Sequence, residues 1–186
     1  MGIRTYQGIA PTLGARVFVD ECALLIGRVS MGEDSSIWPF AVARGDVNDI
    51  RIGARTNIQD GTVLHVVHDG PVKGGMPLII GDDVTVGHQA MLHAAQVGNR
   101  CLIGMASVLL DGAIVEDEVI VAAGTVVPPG KRLASGGLYV GNPVRRLRDL
   151  RDTDIAQLVY SAHHYVEVKE LHRADQLLRN KASSTG

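Results

Sequence analysis

Large aromatic rings are scarce in this chain, with two Phe, one Trp and four Tyr among 186 residues. A composition that is 46% hydrophobic and holds 22 glycines must therefore fill its core with Val, Ile, Leu and Ala, which implies a narrow, regular interior. Cysteine is equally thin. Cys22 and Cys101 fall several repeat units apart in the frame derived below, beyond the roughly 7 Å Cα separation a disulfide can span, so both read as reduced thiols. Neither charge is in excess: 18 Lys and Arg stand against 20 Asp and Glu. Apart from Arg145, Arg146 and Arg148 the cations are scattered, which leaves no basic footprint for a phosphate backbone and excludes nucleic acid as an expected partner. Long hydrophobic runs are also missing. The longest uncharged apolar stretch, residues 101–110, is too short to cross a bilayer, and the first residues have no apolar leader, so the expectation is a cytoplasmic protein with no membrane partner.

What is present is a period of six. Aliphatic or similar residues recur at Val19, Leu25, Met31, Ile37 and Ala43, then at Ile52, Ile58 and Leu64, at Ile80, Val86 and Leu92, and, after a slip of one, from Val97 through Ile103, Leu109, Val115, Val121 and Val127 to Leu133. Four positions after most of them stands a small or β-branched residue such as Ala23, Ser35, Thr56 or Ala90. A helix needs a period near 3.6, and hairpins need irregular turn clusters; a short strand followed by a corner satisfies a fixed six. Three hexapeptides make one triangular coil, and coils stacked at the strand spacing of about 4.8 Å pair their backbones with the coil above and below. The frame from 19 to 133 holds eighteen hexapeptides, or six coils of a parallel β-helix. Residues 70–79, rich in Gly and Pro, break the frame and read as a loop outside the prism.

Residues 1–143 thus read as one β-helix domain. Residues 144–180 read as a helical segment, because Ile155, Leu158, Val159, Ala162, Tyr165 and Val166 follow helical spacing behind Asp152 or Thr153 as N-cap. That helix should pack along a face of the prism, and 181–186 should fray.

The frame sorts the seven histidines. His65 and His93 are both second in their hexapeptides and three hexapeptides apart once the 70–79 loop is set aside, so they stack on one side about 4.8 Å apart. Arg44 lies on that side one coil earlier. His88 is third in its hexapeptide, on a neighbouring side, above Asp60 and beside the column of Gln59. One prism does not bring His88 to the other two, whereas a second copy with its adjoining side facing theirs does; closing that contact gives a homotrimer with sites at the subunit interfaces. Three imidazoles with an open fourth position are the ligand pattern of catalytic zinc, and ferrous iron or cobalt would accept the same ligands. His68, at the loop entrance, either lines the site or is solvated. His163, His164 and His172 read as a solvated helix face.

The stretches Arg44-Gly-Asp46, Arg55-Thr-Asn57-Ile-Gln59-Asp60-Gly61, Leu64-His65, Val86-Gly-His88 and Leu92-His93, on a hexapeptide framework ending in a helix, resemble the γ-class carbonic anhydrases over nearly the whole chain. The resemblance implies a left-handed β-helix, one divalent metal per site held by His65 and His93 of one subunit and His88 of its neighbour, and reversible hydration of CO2 to bicarbonate by metal-bound hydroxide. It assigns Gln59 to a hydrogen bond with the bound water or bicarbonate. Arg44 faces the anion and pairs across the interface with an acid such as Asp60, with Asp46 and Asn57 supporting the site. Tyr160 matches a tyrosine that reaches the substrate pocket, with Tyr165 as the alternative. Founding members carry a glutamate directly after the Arg-x-Asp triplet and a longer acidic loop bearing a proton-shuttle glutamate. Here Val47 and a shorter loop with Asp69 as its single acid take those places, and His68 is the candidate shuttle. The same residues would serve a hydrolase or thioesterase acting on an activated carbonyl. A hexapeptide acyltransferase and a non-catalytic metal-clamped scaffold are the remaining alternatives.

Overall fold

The computed structural model describes residues 2–72 and 74–183, with side chains described through residue 179. Short parallel strands stack into a left-handed triangular prism. On the first face Ile3, Leu25, Ala43, Leu64, Leu92, Leu109 and Val127 are register partners from coil to coil. On the second the series is Leu13, Met31, Ile52, Ile80, Val97, Val115 and Leu133. On the third it is Val19, Ile37, Ile58, Val86, Ile103, Val121 and Tyr139. Among the described residues each face therefore has seven rungs instead of six. Leu13 and Tyr139 extend the six-residue period by one step beyond Val19 and Leu133, and only Ile3, ten residues before Leu13, lies off it.

Nearly all the inward residues are fully buried, and they form one continuous aliphatic core. At most corners one residue three places after the inward residue has positive φ, as at Asp34, Arg55, Asp83, Arg100 and Glu118. The small residue that follows, such as Ser35, Thr56 or Ser107, is wholly buried inside the corner. This is why a side chain of modest size recurs there: a larger one would have no room between stacked coils.

Every change in repeat length falls at the corner between the first and second faces. Six residues separate Leu25 from Met31, nine separate Ala43 from Ile52, sixteen separate Leu64 from Ile80, and five separate Leu92 from Val97. The nine-residue interval is a bulge inside the strand Val42–Ile52, marked by the register shift opposite Gly27 and Val29. The sixteen-residue interval is a loop whose arms are joined at Val67 and Met76. The loop lies earlier than the 70–79 expected, leaving the first face after His65 and ending before Leu78–Ile80, which is already a strand of the second face.

At the far end, Arg145–Asp149 pairs antiparallel with Gly137–Val140, so the sheet continues into the stretch expected to be helical. The helix Asp152–Ser183 then returns along the third face. Its N-cap is Arg151, not Asp152 or Thr153: the Arg151 carbonyl accepts from the amides of Asp154 and Ile155, and the Asp154 carboxylate accepts the Arg151 amide at 2.8 Å. Leu158, Ala162 and Lys169 form its buried stripe. The helix passes residue 181, where fraying was expected, and 184–186 lie outside the described residues.

Three of the scarce rings, Phe18, Trp38 and Tyr165, are gathered outside the prism, under this helix. Trp38 stands edge-on to Tyr165 at 5.7 Å and to His172 at 5.0 Å, with Phe18 beside it at 5.3 Å. His172 is exposed, as expected of a solvated face, and its ring also packs against Phe18 and Trp38. Lys169 is fully buried with its ammonium 3.0 Å from Asp34, which also holds Arg16, and it pairs with Glu170. Burial of a lysine is tolerable because carboxylates meet its charge.

Candidate metal centre

His65 and His93 are register partners, as the repeat frame requires, and His65 Nδ1 lies 3.1 Å from His93 Nε2. Each ring is oriented from its other side by a carboxylate. His65 Nε2 is 3.1 Å from Asp46 Oδ1, and His93 Nδ1 is 2.5 Å from Asp111 Oδ1. An ionised carboxylate only accepts, so the nitrogen facing it carries the proton and the opposite nitrogen keeps its lone pair. The two lone pairs then point at each other across 3.1 Å, an arrangement that needs a shared proton or a cation between them. This donor set suits a divalent ion.

His88 repeats the scheme at the preceding corner, its Nδ1 2.9 Å from Asp60 Oδ2 one coil below. Among the described residues of this one chain, no three His, Cys, Asp or Glu side chains converge as a complete metal-binding group. His88 belongs to a different corner from the His65–His93 pair and does not converge with it within this one chain.

The bulge supplies Asp46. Gly45 permits it, because a Cβ there would lie 2.5 Å from the Arg28 carbonyl oxygen. Asn48 ties the bulge to the loop by donating to the Val67 carbonyl at 3.1 Å. Burial opposes ionisation of Asp46, but hydrogen bonds with Arg44 and His65 and the Arg44 charge outweigh it and hold the carboxyl below its ordinary pKa. Burial is also the main reason the His65 pKa is lowered, with Asp46 pulling the other way. A neutral His65 at neutral pH is the ligand form.

Arg44 pairs with Asp46 inside the chain, while Asp60 is engaged with His88. Gln59 is buried, and its amide nitrogen donates to Asn57 Oδ1 at 3.0 Å; Asn57 in turn donates to Thr85 Oγ1 at 3.0 Å, which meets Ser161 Oγ on the helix at 3.0 Å. Asn57 thereby fixes which end of the Gln59 amide is free. Of the two candidate tyrosines, Tyr165 lines a cavity with Gln59 and His88, while Tyr160 is exposed and stacked on His164. Burial, and then the Asp60 charge, raise the Tyr165 pKa. His68 is in the outer loop beside Val67 and Pro71, and Asp69 closes that loop by accepting the Gly75 amide at 2.5 Å. Asp111 was not among the residues singled out from sequence. Its signal was available: it is the acid one coil after His93, as Asp60 is one coil before His88.

Comparison with known proteins agrees with this architecture. Residues 95–129 match the family described as hexapeptide repeat of succinyl-transferase. Protein YrdA of Escherichia coli K12 is 53% identical over 169 residues, 90% of this chain and 92% of that protein. The mitochondrial gamma carbonic anhydrase 2 of Arabidopsis thaliana is 41% identical over 89% of this chain, which spans 60% of that protein. The carbonic anhydrase of Geobacillus kaustophilus is 39% identical over 97% of this chain and 96% of its own length. A solved hexapeptide transferase family protein from Anaplasma phagocytophilum superposes with a TM-score of 0.82 at 36% identity, covering 90% of this chain and 96% of that one. The repeat and the winding define a hexapeptide-repeat protein. Within that class, the chain belongs to the γ-carbonic anhydrase-like family.

Proposed function

We propose that the protein is a metal-dependent lyase that hydrates CO2 to bicarbonate reversibly, as a homotrimer in the cytoplasm. The metal, expected to be zinc, is held by His65 and His93 of one subunit and His88 of the next. The observation that carries this reading is the set of three imidazoles, each oriented by its own carboxylate, Asp46, Asp111 or Asp60. A bound divalent ion supplies Lewis acidity that brings the pKa of water towards about 7. The residues do the rest. Gln59, with its nitrogen tied to Asn57, offers its carbonyl oxygen as an acceptor; Arg44, steadied by Asp46, attracts the anionic product; His68 carries away the released proton. The outward side chains of the first face support the trimer. Leu24, Val42, Val63, Met91, Val108 and Val126 form an apolar column, with Val63 and Met91 41% and 42% exposed. A second copy would cover them.

A second reading, hydrolysis of an ester or thioester at the same residues, is favoured by the apolar cavity that opens beside His88 and Gln59.

The test is complementation. His65→Ala and His88→Ala should each abolish stopped-flow CO2 hydration by zinc-loaded protein. Unfolding and refolding the two together should restore about a quarter of wild-type activity, because one subunit pair in four then assembles an intact site. No recovery in mixed trimers, or full activity in a monomer, would overturn the shared site.

A further inference from the structure

Leu102 and Ile120 stack with Thr85 as the outward residues of three successive rungs of the third face. The C-terminal helix makes its closest contacts with the rungs of Phe18, Ser36 and Thr85. Leu102 and Ile120 are left as the floor of a trough of about 380 Å³, with Ser161 and Tyr165 as one wall. The corner residues Gly104, Ala122 and Ala123 keep the other side low. The trough opens onto Gln59 and His88.

Three features bear on what it holds. Its size falls in the range of ligand pockets, about 300–1,000 Å³, and far exceeds the ~30 Å³ of a water-sized molecule, so CO2 does not account for it. Its polarity is one-sided: Gln59, His88 and the hydroxyls of Thr85, Ser161 and Tyr165 lie towards one end, and aliphatic side chains or bare backbone line the rest. Its length, two coil steps or about 10 Å, matches an extended chain of about eight carbons at bond lengths near 1.5 Å.

We propose that this trough is a subsite for an unbranched aliphatic acyl chain, whose carboxyl or carbonyl end lies at Gln59 and His88 while its tail runs over Leu102 and Ile120 towards Ala123. The inference rests on the site reading above and names a ligand class for it: medium-chain carboxylic acids and their esters. The partner of this trough is a small molecule; the competing occupant is a side chain of a neighbouring subunit.

Titration calorimetry on the zinc-loaded, full-length protein with acetate, butanoate, hexanoate, octanoate and decanoate tests it. Affinity should rise about three- to fourfold per added CH2, the value for burying a methylene, and level off near eight carbons. Ala123→Trp, which fills the far end at an exposed position, should leave acetate binding unchanged and stop the rise near four carbons. Ile120→Asn should flatten the rise if Ala123→Trp does not fold. Acetate binding with no dependence on chain length would overturn the trough, including the case in which a neighbouring subunit fills it, and would leave the metal-site reading standing. A chain-length dependence in wild type that persists unchanged in both variants would also overturn it. Loss of CO2 hydration together with a retained, Ala123-dependent rise would overturn the hydration reading and keep the trough.

Discussion

His65 and His93 face each other across one rung of the prism, Nδ1 to Nε2 at 3.1 Å, and a carboxylate behind each ring directs a lone pair into the space between. Much of what can be tested follows from that relationship.

Asp111 is the carboxylate behind His93. Replacing it by Ala should weaken metal binding roughly 10- to 100-fold, the usual consequence of losing a partner that orients a ligating histidine. Asp111→Asn, which still accepts a hydrogen bond, should recover part of this. Competition against a chromophoric chelator reads the affinity directly, and an unchanged affinity in the Ala variant would remove Asp111 from the site.

His68 is expected to limit turnover when external base is scarce. His68→Ala should slow CO2 hydration in dilute buffer and be rescued by added imidazole, with little change in concentrated buffer. Equal rates for wild type and variant in dilute buffer would dismiss the shuttle.

Trp38 is 6% exposed, is bonded through its indole N–H to Ser36 Oγ at 3.0 Å, and joins the helix to the prism through Tyr165 and His172. Trp38→Ala should cost about 3–5 kcal/mol in urea unfolding at fixed protein concentration. The helix should detach first, which amide hydrogen exchange along residues 158–172 would detect.

Asp34 ties the start of the prism to the helix through Arg16 and Lys169. The hydrogen bond from Arg16 leads in holding its pKa down at about 2 against an ordinary 3.8, with Lys169 adding to it and burial opposing. A carboxylate with a depressed folded-state pKa contributes stability that is fully present above 3.8 and is lost as pH falls through 2. Asp34→Asn should therefore be less stable than wild type by roughly 2 kcal/mol at pH 7, and the gap should close between pH 4 and pH 2. Asparagine tolerates the positive φ of this corner, so backbone strain does not confuse the comparison. Chemical denaturation at pH 7, 4 and 3 measures the gap; a difference independent of pH would show that the ion pair is not its source.

The sequence by itself determined the prism and the first-face column. A six-residue period admits one kind of stacking, because each inward aliphatic must meet its counterpart one coil away, and this alone aligns Arg44, His65 and His93 and stands His88 over Asp60. The same period reaches Leu13 and Tyr139, six residues from Val19 and Leu133, but it could not determine the rung of Ile3, ten residues before Leu13, nor the strand Arg145–Asp149, which the helical pattern obscured. Contacts between elements distant in sequence were decided only by the tertiary structure. These include Asp46 carried to His65 by a bulge, Asp111 to His93 by the next coil, and Tyr165 and His172 to Trp38 by a helix whose direction along the third face no local pattern encodes. The physical reason is the same in each case. Repeat spacing fixes which residues share a column, whereas the reach of a side chain around a corner, and the path of the returning helix, depend on packing between segments that the spacing does not relate.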